Sequence, residues 1–199
     1  MKTFMINPFL RIAGWKAFFI SIPFVMIKLW LSARFQLRFD GAIDAHFYAN
    51  EITFKRVIVD EVVVLILLTG VYYLGALLLK AHHTRLQDIL GTLSFARIPL
   101  LFVPLLNWGG HFSELSLVVA EDPMQLISFF ETANLFTILD LAGLTLLLVG
   151  LMIWVMVWQY KAIAVSTNIK SAKMPYFFVF GLLIAEVLSL ILLRLVIDF

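Results

Sequence analysis

Hydrophobic residues in this chain come in long runs, not in the alternation of a half-buried strand or the single stripe of a surface helix. Residues 62–79 and 141–160 carry no charge at all. Crossing the hydrocarbon layer takes about 20 mostly apolar residues in a helix. Five segments reach that length, at roughly 14–35, 57–79, 87–107, 132–158 and 175–197. The pattern predicts an all-α, polytopic membrane helix bundle with five transmembrane helices, one membrane domain covering 1–199.

The first span carries a lysine near each end of its apolar run. Only residues 17–27 lie between Lys16 and Lys28, so both lysines are expected to snorkel toward opposite interfaces. Trp15 and Trp30 are placed as interfacial anchors. The start is basic and then apolar, as in a signal peptide, but its charges run on to Lys16 and no A-x-A-like cleavage site follows. A retained span is therefore expected. Pro175 opens the fifth span, where a first helical turn tolerates proline. In the third span, Pro99 and Pro104 each remove a backbone donor. They predict either a simple kink or a broken helix lining a site, with Thr92, Ser94 and Asn107 available to satisfy freed carbonyls.

Five spans put the termini on opposite sides. One side collects Lys2, Arg11, Lys16, Lys80, Arg85, Lys161, Lys170 and Lys173. The other has Arg34, Arg38, Lys55 and Arg56, offset by Asp40, Asp44 and Glu51, and its 108–131 loop has no Lys or Arg. The positive-inside bias places the N-terminus in the cytoplasm and the C-terminus outside. Near the start, "NPFLRIAGW" is expected to lie in the inner interface with Phe4, Phe9, Leu10 and Ile12 facing lipid. Outside, residues 113–136 are expected to form short interfacial helices broken at Pro123.

Composition strengthens the membrane reading. The chain is 62% hydrophobic and 14% charged, against roughly 45–50% and about 25% in soluble domains. A soluble core of this size cannot hide that surplus. The net charge of +2 comes with no Lys/Arg cluster of the kind that grips nucleic acid. There is no cysteine, which excludes disulfides, thiolate metal sites and cysteine nucleophiles. H-E-x-x-H, G-x-S-x-G, P-loop and G-x-G-x-x-G patterns are all missing, so neither an enzyme nor a cofactor is expected.

The candidate chemistry lies in charges within the spans. Arg97 sits about ten residues into the third span, about 15 Å deep at 1.5 Å per residue, near the middle of a ~30 Å core. An arginine stays protonated there and needs a partner. Glu186 lies at a similar depth in the fifth span, and Asp140, Asp60, Glu61 and Arg194 lie on the outer half. Depth alone predicts a polar cluster with an Arg97–Glu186 floor and a mouth opening outward. Three readings stay open: an ion-pair network fixing helix register, a hydrated pocket for an anion, proton or lipid headgroup, or snorkelling toward lipid. Outside the spans, His82–His83 reads as a solvated loop. Asp44, His46 and Glu51, and separately His111 and Glu114, offer weak metal-ligand sets. Gly70, Gly75 and Ala76 in the second span, and Ala142, Gly143 and Gly150 in the fourth, read as helix-packing patches, the latter alternatively as a homodimer face.

"NPF" near the start, "GW" entering the first span and "RLQDILGTLSFARIPLL" across the third resemble the Yip family of five-span membrane proteins, especially its bacterial members. Gly91 and Pro99 match a glycine and a proline of that family's third span. The resemblance implies five spans with a cytosolic N-terminus. The tyrosine that commonly follows the family glycine is Thr92 here, and the "D-L-x-G-P" signature and the long soluble N-terminal region of eukaryotic members are missing. Their role in vesicle traffic with small GTPases is therefore not carried over. The resulting expectation is a non-enzymatic protein of the bacterial inner membrane whose partners are membrane lipids, other membrane proteins or a second copy of itself. The alternative is a small transporter, or an anion- or lipid-headgroup-binding protein, built on the buried charges.

Overall fold

A computed structural model describes residues 7–48, 50–81, 83–121, 124–169 and 172–197. Five helical stretches are long and apolar enough to cross a membrane. They are α1 (Gly14–Arg34), α2 (Phe54–Leu78), α3 (Leu86–Ala96) with its 3-10 continuation, α6 (Leu135–Thr167) and α7 (Met174–Leu192). Two shorter helices, α4 (His111–Glu121) and α5 (Gln125–Thr132), connect the third span to the fourth. Pro123, expected to break this connection, lies outside the described residues, as do Phe4 and His82.

Local chemistry sets the ends. Thr53 caps α2 by accepting from the Arg56 N–H at 3.3 Å, and Asn134 caps α6 by accepting from the Thr137 N–H at 2.9 Å. Asn168, at φ 51°, ends α6 in the left-handed conformation that asparagine tolerates. That end comes nine residues beyond the expected limit of the fourth span, so Lys161 is on the helix and not in a loop. α7 passes from α to π geometry over Leu193–Ile197.

The third span is broken, not simply kinked. α3 stops at Ala96, and two 3-10 segments, Ile98–Phe102 and Pro104–Asn107, carry it onward. Pro99 and Pro104 open these segments, because neither can supply the N–H an α-helix needs there. Thr92 and Ser94 do not repair the break. Thr92 pairs with Ser166 of α6 at 2.7 Å and donates to the Asp88 carbonyl, while Ser94 pairs with Ser21 of α1 at 2.6 Å. They join the third span to its neighbours instead.

This third span is the hub. Two-thirds of it (67%) is buried, against 17% of α6, and it packs on α1, α2 and α6, while α7 packs on α2. At the α1 crossing, a Cβ on Gly91 would run into the Gly14 backbone, so the two helices touch main chain to main chain. Tyr72, Leu93, Ile163 and Phe178 centre one apolar cluster. Phe9, Ala17, Phe95 and Trp158 make a second. Phe9 is thus fully buried, against the expectation of a lipid-facing residue; its ring meets Phe95 and Trp158 edge-on at 6.0 and 6.1 Å. Leu10 does stay exposed.

The all-α expectation misses one small element. Residues 37–47 form a hairpin in which β1 (Leu37–Arg38) pairs antiparallel with β2 (His46–Phe47). The charge and hydropathy pattern places the loop between them, 39–45, outside the spans. Phe39, Asp40, Gly41 and Ala42 are buried, and Phe39 joins Leu37, Leu100, Val103 and Val155 in a third apolar cluster. The loop folds inward because its backbone supplies partners for buried charges.

Candidate functional site: a buried charge cluster

Arg97 occupies the break between α3 and the 3-10 stretch, at φ −88° and ψ 0°. Its side chain is sealed from the surface. Nε and Nη2 donate to the two carboxylate oxygens of Glu61 at 3.3 and 3.1 Å, and Nη1 donates to the Ala42 carbonyl at 3.0 Å. Such a fork-on-carboxylate pair is the strongest hydrogen-bonded form an ion pair takes.

Glu61 serves a second cation. The Lys28 ammonium lies 2.6 Å from Oε2 of Glu61 and 5.1 Å from the Phe39 ring centre. Lys28 is 1% exposed. The expected snorkelling of Lys28 to an interface therefore does not occur: a carboxylate at its own depth holds it inside. The signal was in the sequence. The eleven residues between Lys16 and Lys28 rise only about 16 Å as a helix, about half the hydrocarbon thickness, so one lysine had to sit within the membrane.

Asp60, the neighbour of Glu61 on α2, faces another direction, since adjacent helical residues point about 100° apart. Its Oδ2 accepts from Arg38 Nε at 2.8 Å and its Oδ1 from Arg38 Nη2 at 3.2 Å, and Arg56 Nε stands 3.1 Å from the same Oδ1. Asp60 and Glu61 thus divide four cations between them, Arg38 and Arg56 on one and Lys28 and Arg97 on the other.

The expected Arg97–Glu186 floor is not formed. Glu186 is half-buried and accepts from the backbone N–H groups of Ala42 at 2.6 Å and Ile43 at 3.1 Å. The loop thereby reaches both groups: the Ala42 carbonyl binds Arg97 and the Ala42 N–H binds Glu186. Gly41 makes the approach possible, since a Cβ there would overlap the Glu186 carboxylate. Asp140 is not in the cluster either. It is exposed and lies 3.3 Å from Nε2 of His111 on α4. Arg194 is exposed within the π-helical turn and lies outside the cluster. Pro99 and Pro104 are buried and act on the cluster by ending α3 at Arg97.

Among the described residues, Ser32 Oγ, Thr69 Oγ1 and both amide atoms of Gln159 are buried without a hydrogen-bond partner, as are Asn7 Oδ1 and Thr84 Oγ1. Gln159 is fully buried on α6 beside Trp158. On the hairpin, Asp40, Asp44 and His46 bring one ligand atom each within 4.8 Å of one another. That spacing suits a divalent cation and equally a protonated histidine between two carboxylates. The hydrogen-bond distance of 3.0 Å from His46 Nδ1 to Asp40 fits the second. Glu51, expected beside them, is not in the set; His111 and Glu114 both lie in the first turn of α4.

Small-residue patches divide by position. Ala76 is buried, and a Cβ on Gly75 would meet the Phe177 ring, so this part of α2 packs on α7. Gly143 and Gly150 have nothing within 4 Å of where a Cβ would lie. Compared with protein-family models, curated proteins and solved structures, the chain matches none, so the likeness to the Yip family rests on the residues quoted above.

Proposed function

We propose that this chain is a non-enzymatic integral membrane protein of the Yip type that acts through lipid or protein partners, with its buried charges serving as architecture. One observation carries the reading. Arg97, the charge most suited to bind a substrate anion, is consumed internally by Glu61 and Ala42 and has no exposed surface. Large apolar side chains cover the outward faces of α1, α2, α6 and α7, which suits a body held in lipid. The charge bias of the loops supports an N-terminus in the cytoplasm and a C-terminus outside, and the resemblance to bacterial Yip members supports the bacterial inner membrane as location. Reporter fusions at each terminus test the orientation. Reconstitution into liposomes tests the function: no proton or anion flux is expected, and native-membrane extracts should return a reproducible lipid or protein partner. Substrate turnover, or measurable flux, overturns the reading.

A specific observation favours a second reading, a small transporter or anion-binding protein. Glu61 faces two cations, so the set is one positive charge in excess, and Gln159 has buried amide atoms without a protein partner. A small anion taken up near Arg97 would balance the excess charge. Flux that disappears in Arg97→Gln would place this reading first.

A further inference from the structure

Where α1 ends beside the 3-10 stretch, a groove of about 500 Å³ opens on the face that carries the hairpin. Trp30, Leu31 and Arg34 form one wall, and Trp108 and Gly109 the other. Asn107 fixes the floor. Its Nδ2 donates to the Phe35 carbonyl at 3.0 Å and to Ser113 Oγ at 2.7 Å, and its Oδ1 accepts from the N–H groups of Phe112 and Ser113. The ends of both spans are therefore tied at this point.

Arg34 differs from the other cations nearby. Lys28, Arg38, Arg56 and Arg97 each meet Asp60 or Glu61. Arg34 is exposed, its guanidinium lies over the Phe35 ring at 6.0 Å, and no carboxylate among the described residues pairs with it. Its planar fork of donors matches the oxygens of a phosphate.

Beyond the groove itself, two exposed apolar rows continue from its walls, one from Trp30 and one from Trp108. On α1, Ile27 and Trp30 share the Arg34 face at helical spacing and are 50% and 60% exposed. On the other wall, 3-10 geometry repeats every three residues. Phe102, Leu105 and Trp108 fall at that three-residue spacing, and the Trp108 N–H donates to the Leu105 carbonyl at 3.2 Å. All three are exposed. A continued α-helix would turn each successive member of that row away by about 60°, so the proline break makes the second row.

We propose that this groove holds one phospholipid, with its phosphate on Arg34, its glycerol region between Trp30 and Trp108, and an acyl chain along the two rows. A free phosphate has no use for the apolar rows, and a lipid without phosphate has no use for Arg34. Paired tryptophans belong at headgroup level in a bilayer. The proposal rests on the reading that the chain acts through lipids and assigns one site to it.

The test uses the purified full chain in detergent with dioleoylphosphatidylglycerol, read by native mass spectrometry. One tightly held lipid per chain is expected. Arg34→Gln should lower its occupancy about tenfold, the value of one charge-assisted contact, and Arg34→Lys should restore part of it. Arg34 is exposed and meets no carboxylate among the described residues, so an unchanged melting temperature will show that the variant is folded. Phosphatidylglycerol with brominated chains should quench tryptophan emission, and the quenching should be missing from a Trp30→Phe/Trp108→Phe variant. Equal occupancy by dioleoylglycerol, displacement of the lipid by inorganic phosphate, or full occupancy in Arg34→Gln each overturns the site. If Arg34→Gln keeps its lipid while other lipids or proteins co-purify, this site alone falls. If no lipid or protein partner is ever retained, the broader reading falls with it.

Discussion

Arg97 and Glu61 meet through two hydrogen bonds in the interior of the bundle, with Lys28 on the same carboxylate. The set therefore holds two cations to one anion, and its members are not equivalent. Arg97→Leu leaves a neutral Lys28–Glu61 pair and an unpaired Ala42 carbonyl. Glu61→Leu leaves two facing cations. Removing one partner from a buried pair costs about 3–5 kcal/mol, so Glu61→Leu should exceed that range and Arg97→Leu should fall below it. Thermal unfolding of both variants and of the double decides the matter. Equal, small effects would show that the cluster does not hold the bundle together.

Glu186 acts on the loop and not on Arg97. Glu186→Leu strips the acceptor from two backbone N–H groups, at about 1–3 kcal/mol for each group left unpaired. Glu186→Gln keeps one acceptor oxygen and should be milder. Hydrogen exchange should localise the loss of protection to residues 41–44 and spare α3. Coupling between Glu186→Leu and Arg97→Leu in a double-mutant cycle should run through Ala42, whose carbonyl and N–H bind the two side chains.

Two glycine substitutions should part sharply. Gly91→Ala drives a methyl group into the Gly14 backbone, which cannot move aside as a flexible side chain would. Overpacking of this kind costs about 1–3 kcal/mol or more. Gly143→Ala meets open space and should be neutral or slightly stabilising, since alanine is the better helix former. Melting temperatures of the two variants in one detergent test the contrast.

The hairpin should respond to pH through Asp40 and His46. Its hydrogen bond to Asp40 raises the His46 imidazole above the usual histidine value, against the opposing effect of burial. Burial pushes the Asp40 carboxyl up, but the hydrogen bond and charge of His46 outweigh it and hold the group below the usual carboxylate range. The histidine contribution is complete below about pH 6.5 and is lost as pH rises through the raised value. The aspartate contribution is complete above about pH 3.9 and is lost as pH falls through the lowered one. Protection of residues 37–47 in hydrogen exchange should therefore weaken from pH 6 to pH 9, and His46→Gln should flatten the profile. An unchanged slope in the variant would assign the effect to other groups.

The sequence by itself determined five apolar helices long enough to cross a membrane, because crossing length is a property of each segment alone. It also determined where the third span breaks, since a proline removes a backbone donor whatever surrounds it. The buried charge at Arg97 was legible, and Asp60 and Glu61 were among its candidate partners. What the sequence left open was pairing. Depth along a span says nothing about helix rotation, so depth favours Glu186, which does not meet Arg97, over Glu61, which does. Lys28 carried a length signal for burial, but its partner is supplied by another helix. The inward fold of residues 39–45 was not legible at all, because it depends on a glycine meeting a carboxylate 145 positions away. Only the tertiary structure decided these points: charges in a low-dielectric interior pair with whatever partner the packing brings within about 3 Å, and that is settled by how the helices turn against one another.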